Sequence, residues 1–310
     1  MANKVLASPS SIGQVGGEPF DLLIANYYQI IKNPYGRKLT EDEVIELGKD
    51  CIGIVAGVEP LTKKVMDALP YLKCISRVGA GIDNVDLAYA KQKGIIVANT
   101  PDGPTRAVAE LTIAMTLSLL RKIPQADAAM KSKIWKKQIG SLLFEKHVGV
   151  IGLGRIGRLA AEMFRALGNP VIGYDLYPDK EWAASRNIQI GSINDVLSKA
   201  DILTLHVPGN KDKTPVVGSD EIEKMKEGSY LINIARGGVV DEEALYDALV
   251  KNKLAGAAVD VFLKEPYDGP LCSLDNVVLT PHLGSYAKEG KLKMEIEAVE
   301  NLINVLKEIA

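Results

Sequence analysis

Short apolar runs alternate with helical stretches along almost the whole chain, and few folds accommodate that alternation. KVLAS (4–8), DLLIAN (21–26), CIGIVAGV (51–58), CISRVG (74–79) and IIVANT (95–100) read as strands. Helical patterns separate several of them, for example 62–69 with Thr62 as N-cap candidate. A second series starts at HVGVIG (147–152) and runs through VIGYD (171–175), ILTLHV (202–207), YLINIA (230–235), GAAVDV (256–261) and NVVLTP (276–281). Apolar strands with helices between them form a parallel sheet covered on both faces. Six such strands in the second series predict a doubly wound sheet. With 310 residues, the chain has room for two domains of ordinary size.

Two further segments read as helices. Residues 106–123 (RAVAELTIAMTLSLLRKI) are largely apolar and suit either a core helix or one buried at an interface. Residues 287–310 read as one final helix, with Leu292, Ile296, Val299, Ile303 and Leu306 as its apolar stripe.

Composition narrows the function classes. A net charge of -2 argues against a nucleic-acid or polybasic membrane surface. The three cysteines, Cys51, Cys74 and Cys272, are far apart and lack CxxC spacing, so no metal site or disulfide framework is expected, and a cytoplasmic setting fits. The first residues lack the basic start and apolar core of a signal peptide. The longest apolar stretch, 111–120, is too short to span a bilayer.

The strongest local signal is VGVIGLGRIGRLAAEMFRALG. A strand leads into Gly152, Gly154 and Gly157, spaced GxGxxG, and a helix follows. Gly152 permits the tight turn, Gly154 lets backbone approach a pyrophosphate, and Gly157 lets helix and strand pack closely. The helix start adds free N–H groups for an anion. Asp175 closes the next strand, 23 residues after Gly152. A carboxylate there hydrogen-bonds ribose hydroxyls and repels a 2′-phosphate, and no arginine follows closely, so NAD is expected over NADP.

Histidine is the usual acid or base near neutral pH, and the chain has three. His147 opens a strand, away from the ligand end of the sheet. His206 closes a strand and is read as a structural residue beside the cofactor. His282, in TPHLGS, follows a strand end, where ligands bind in such sheets. Arg236, in NIARGG, and Glu265, in KEP, also follow strand ends. Moving a hydride from an alcohol needs a base, a cation for the substrate, and benefits from a carboxylate that orients the base. His282, Arg236 and Glu265 supply those three groups.

The blocks RVGAGIDNVDL (77–87), ANTPDGPTRAVAEL (98–111), VGVIGLGRIG (148–157), INIARGGVVDEEAL (232–245), AAVDVFLKEP (257–266) and TPHLGS (280–285) resemble the D-isomer-specific 2-hydroxyacid dehydrogenase family. The resemblance implies an α/β fold of two doubly wound parallel-sheet domains. A Rossmann-type NAD domain (100–285) would be inserted into a flavodoxin-like substrate domain (1–99 and 286–310), with the site in the cleft between them. It implies His282 as acid/base, Glu265 as its partner and Arg236 as substrate anchor. It also implies backbone amides of Val78, Gly79, Ala80 and Gly81 around the substrate carboxylate. The NAD contacts would come from Gly152, Gly154, Arg155, Ile156, Gly157, Asp175, His206, Val207, Ala235, Asp260 and Gly284, with Asp260 on the nicotinamide carboxamide. Family members are usually homodimers that pair around the helix starting near Arg106.

Within the family the chain looks most like phosphoglycerate dehydrogenases, which open serine biosynthesis. Lys136 and Lys137 are phosphate-anchor candidates, although a solvated charge pair is the simpler reading. Glutamate at 265 excludes a formate dehydrogenase, which carries glutamine there. Pro104 and the loop GNKDKTPVVG (209–218) depart from the family pattern. The chain ends after one helix, so serine feedback through an added regulatory domain is not expected. The alternatives are a glyoxylate or hydroxypyruvate reductase and, from another class, a non-catalytic NAD-sensing scaffold.

Overall fold

The computed structural model describes residues 3–210, 212 and 214–309. Met1 and Ala2, Lys211 and Lys213 of the 209–218 loop, and Ala310 of the segment expected as the last helix lie outside the described residues. Two compact units divide the chain: Met1–Pro104 with Ser285–Ala310, and Thr105–Gly284.

The first unit contains β1 (Lys4–Ala7), α1 (Glu18–Ala25), β2 (Gln29–Lys32), α2 (Glu41–Gly48), β3 (Cys51–Ala56), α3 (Lys63–Ala68), β4 (Cys74–Arg77), α4 (Leu87–Gln92) and β5 (Ile96–Asn99). Its five strands are all parallel, in the order β2-β1-β3-β4-β5. Successive strand residues point to opposite faces, so Val5 and Val55 join one apolar core while Leu6 and Ile54 join the other.

The chain leaves this unit within α5 (Gly103–Leu120) and continues through α6 (Ile123–Lys131), β6 (Val148–Ile151), α7 (Arg155–Ala166), β7 (Val171–Tyr174), α8 (Lys180–Ser185), β8 (Gln189–Ile190) and α9 (Ile193–Lys199). Next come β9 (Ile202–Leu205), α10 (Ser219–Lys224), β10 (Ser229–Asn233), α11 (Glu242–Val250), β11 (Leu254–Val259) and β12 (Val277–Leu279). These seven strands are parallel in the order β12-β11-β10-β9-β6-β7-β8. The order reverses beside β6, the strand that feeds the glycine turn, and ligands bind at such a reversal. The final helix, α12 (Lys288–Glu308), belongs to the first unit.

Four sequence expectations need correction. DLLIAN is not a strand but most of α1: Pro19 sits in the first turn, where its fixed φ suits a helix start, and Glu18 and Asp21 match the dipole there. Only Leu23 of that apolar run is fully buried, while Ile24 is 62% exposed. The actual strand is β2, a short edge strand whose end residues Gln29 and Lys32 are exposed. The second sheet has seven strands rather than six, because β8 is only two residues long. The helix expected over 106–123 spans Gly103–Leu120. Lys122 then turns left-handed (φ 53°) and Pro124 opens α6. Lastly, α12 buries Lys291, Met294, Glu295, Ala298, Val299, Leu302, Ile303 and Leu306, so its inner face is rotated from the expected stripe and carries an ion pair.

Of the two readings of α5, burial favours the core. Val108, Met115, Leu119 and Leu120 join an apolar core of the second unit, and Ala109 is buried as well. Thr112 and Thr116 are buried too, each hydroxyl donating to a carbonyl one turn back (Val108 O, 2.8 Å; Thr112 O, 2.7 Å).

Candidate active site and dinucleotide turn

Along the second sheet, the loops after β6, β7, β9, β10, β11 and β12 carry nearly every residue singled out above. At the glycine turn, Gly152 has φ 94° and its N–H donates to Tyr174 O at 2.8 Å. A Cβ on Gly157 would stand 1.8 Å from Gly152 O, so only glycine lets α7 start this close to β6. At Gly154 an added Cβ would meet nothing within 4 Å. That open backbone, at the N-terminus of α7, is the approach a pyrophosphate requires. Arg155 is exposed in the first turn of α7, and Ile156 packs against the core beneath it.

Asp175 lies on the rim of this turn. Its Oδ2 accepts from Leu153 N at 2.7 Å and its Oδ1 from Tyr177 N at 2.9 Å. A carboxylate has about four acceptor sites, so two backbone bonds orient it and leave capacity for ribose hydroxyls. His206 stands across the turn, where its carbonyl is 2.4 Å from the Cβ position of Gly152 and the Val207 side chain is 2.7 Å from the same point. The His206 ring pairs with Thr204 Oγ1 at 3.1 Å, and burial pushes it down to about 4. It therefore stays neutral near pH 7. Together the open glycine, the oriented carboxylate and the helix start fit a dinucleotide.

The acid–base pair forms at the ends of two neighbouring strands. His282 follows β12 and Glu265 follows β11, and His282 Nδ1 lies 2.9 Å from Glu265 Oε2 and 3.1 Å from Oε1. His282 has φ 55°, and its N–H donates to Asp260 O at 2.9 Å and Thr280 O at 3.0 Å. Glu265 Oε1 is held in turn by Phe262 N at 3.1 Å. The pair borders a pocket of about 540 Å³ whose other walls include Phe262, Tyr267, Cys272 and Pro281. Phe262 and Tyr267 stack with centroids 4.1 Å apart.

Arg236 follows β10, the next strand in the sheet, and its Nη1 donates to Ala235 O at 2.7 Å. Ala235 is fixed by its own N–H to Asn233 Oδ1 at 3.1 Å. Gly237 lets this loop touch the one bearing Glu265, since a Cβ there would lie 1.9 Å from Phe262 O.

Asp260 has a bracing task that sequence reading did not include. Fully buried, it accepts from Thr280 Oγ1 (2.5 Å), Leu283 N (2.7 Å) and Gly284 N (2.9 Å). It thereby holds the loop that presents His282. Position after β11 is the only signal in the sequence that could have suggested this. His147 lies at the opposite end of the sheet, its N–H donating to Asp201 Oδ2 at 2.8 Å. Lys136 and Lys137 are exposed on the irregular segment after α6, beside Trp135, which is 81% exposed.

In the first unit, the 78–81 loop follows β4. Val78 N donates to Ala56 O at 2.8 Å and Gly79 N to Thr100 Oγ1 at 2.7 Å, so the chain itself engages two of the four expected amides. Asn99 Nδ2 donates to Ala80 O at 2.7 Å and fixes the loop further. Among the described residues no helix is long and apolar enough to cross a membrane.

Residues 113–284 match the D-isomer specific 2-hydroxyacid dehydrogenase, NAD binding domain. The chain is 41% identical over 274 residues to a D-3-phosphoglycerate dehydrogenase of Methanocaldococcus jannaschii, covering 87% of this chain and 52% of that protein. The chain spans about half the length of the curated relatives it matches. A glyoxylate reductase from Paecilomyes thermophila superposes with a TM-score of 0.87 at 26% identity, covering 99% of this chain and 97% of that one. A D-lactate dehydrogenase from Aquifex aeolicus, solved with NAD and lactic acid, gives 0.81 at 29% identity, covering 99% and 95%. Strand order, glycine turn and sequence blocks agree with these matches, and the chain belongs to the D-isomer-specific 2-hydroxyacid dehydrogenase family.

Proposed function

We propose that the chain is an NAD-dependent dehydrogenase of a small D-2-hydroxy acid, with D-3-phosphoglycerate and 3-phosphohydroxypyruvate as its preferred pair. The observation that carries this reading is the 2.9 Å contact of His282 Nδ1 with Glu265, at strand ends next to the Arg236 loop. When bound, NAD supplies the hydride acceptor or donor at its nicotinamide ring. Gly152, Gly154, Gly157 and the α7 start would hold its pyrophosphate, and Asp175 its ribose.

Glu265 occupies Nδ1, so Nε2 of His282 is the atom that takes the substrate hydroxyl proton during oxidation and returns it during reduction. Arg236 anchors the acid's carboxylate through a charge-assisted pair. Of the four amides expected to serve a substrate carboxylate, Val78 N and Gly79 N already serve the chain, so Ala80 N and Gly81 N are the candidates. The Glu265 carboxylate steadies the imidazolium after proton uptake.

Kinship to D-3-phosphoglycerate dehydrogenase supports the phosphorylated substrate and a place at the opening of serine synthesis, with Lys136 and Lys137 reaching the phosphate. The structural likeness to a glyoxylate reductase supports the second reading, reduction of glyoxylate or hydroxypyruvate. Exposed apolar residues along 134–144 support pairing with a second copy, and three free thiols suit a reducing cytoplasm. A kinetic screen of 2-hydroxy and 2-keto acids with both nicotinamide cofactors tests the assignment. Turnover of 3-phosphoglycerate that falls when Lys136 and Lys137 are neutralised supports the first reading. Turnover confined to glyoxylate or hydroxypyruvate supports the second, and none with any such acid rejects both.

A further inference from the structure

Three contacts hold the side chain of Arg158, one turn past Gly154 in α7. Its Nε donates to the Leu153 carbonyl at 2.9 Å, and its Nη1 meets Asp179 Oδ2 at 3.0 Å. Its guanidinium lies over the Trp182 ring, 4.8 Å from the centroid. Trp182 is fixed in turn, because its Nε1 donates to Glu162 Oε1 at 3.0 Å and Arg186 Nε closes on that oxygen at 3.1 Å. Leu153 is the shared element: its N–H serves Asp175 and its carbonyl serves Arg158. One backbone residue thus joins the ribose-side carboxylate to a guanidinium.

A guanidinium matches a phosphate in both charge and donor geometry, and an arginine in this region is what admits a 2′-phosphorylated dinucleotide. Here such an arginine is present but engaged elsewhere. We propose that Asp179 is a second determinant of dinucleotide choice: by holding Arg158 against Trp182, it withholds from a ribose 2′-phosphate the cation that shares Leu153 with Asp175. The proposal rests on reading the glycine turn as a dinucleotide site. Asp175 repels the extra phosphate, and Asp179 removes its counter-charge. Asp179 is well placed to remain anionic. The Trp182 amide that it caps, followed by Arg158, keeps its carboxyl below the usual carboxylate range.

Fluorescence titration with NADH and NADPH tests the idea without turnover. The proteins are the unaltered chain, Asp175→Ser, Asp175→Ser with Asp179→Asn, and that pair combined with Arg158→Ala. Asparagine is as good an N-cap as aspartate, so α8 keeps its start while losing the ion pair; Asp179→Ser provides a second test with another good cap. The unaltered chain should bind NADH and disfavour NADPH. In the Asp175→Ser background, Asp179→Asn should tighten NADPH by about tenfold, the scale of one charge-assisted hydrogen bond. NADH binding should change little, and Arg158→Ala should abolish the gain. An unchanged NADPH-to-NADH ratio, or a gain that survives loss of Arg158, overturns the proposal and leaves the dinucleotide site standing. Failure of the unaltered chain to bind either dinucleotide overturns the site and the proposal together.

Discussion

At the scale of single residues, two histidines that follow strands of one sheet have contrasting surroundings, which suit different tasks. His282 is about half exposed, faces Glu265 and borders a pocket, so it can exchange a proton with a ligand. His282→Ala should lower turnover by about 10²–10⁴-fold, the range for general acid–base catalysis. Near-normal turnover, measured at saturating substrate, would remove it from the mechanism. His206 is held neutral by burial, its ring shifted from 6.5 to about 4. The unfolded chain therefore binds a proton between those values that the folded chain does not. Stability from this residue is complete above about pH 6.5 and drains away as pH falls toward 4. His206→Gln should flatten that part of the curve of Tm against pH, and equal slopes in both proteins would place the effect elsewhere. That His282 and His206 both follow strand ends could be anticipated from where they fall in the sequence. The bracing role of Asp260 could not, because it depends on Thr280, Leu283 and Gly284 folding back onto a residue twenty or more positions earlier.

At the scale of elements, the parallel strands do the positioning. Because β10, β11 and β12 lie side by side, their following loops bring Arg236, Glu265 and His282 to one edge although 46 residues separate the first from the last. The helices were less legible. Nothing local marks Lys291 and Glu295 as buried, yet α12 turns both inward. Lys291 Nζ donates to Ser11 O at 2.7 Å and pairs with Glu295, whose Oε2 accepts from Gly13 N at 3.0 Å. Removing one charge strands the other, so Lys291→Met or Glu295→Gln alone should cost about 3–5 kcal/mol of stability, measured by denaturant unfolding. Lys291→Met with Glu295→Leu should cost less than either single change. A double variant that loses the sum of both would show that the charges do not act as a pair.

At the scale of the whole molecule, the 134–144 segment exposes more apolar surface than a single copy needs. Ile139 is 92% exposed, and Ile134, Leu142 and Phe144 are more than half exposed. With pairing through this segment, as proposed above, Trp135→Asp combined with Ile139→Asp should lower the sedimenting mass to that of one copy. An unchanged mass would take this segment out of any interface. The match to curated relatives twice this length makes the activity of the chain on its own a direct question, which the substrate screen answers.

What the sequence by itself determined was the class of fold, the glycine turn and the three residues gathered at the strand ends. Each rests on local chemistry: period, apolar runs, and residue types that tolerate one backbone geometry. Tertiary structure alone decided that DLLIAN coils, that α12 buries an ion pair, that Val78 N and Gly79 N serve the chain, and that Arg158 is held by Asp179. Those outcomes depend on partners distant in sequence, and a hydrogen bond or a buried charge has no local pattern to announce its other half.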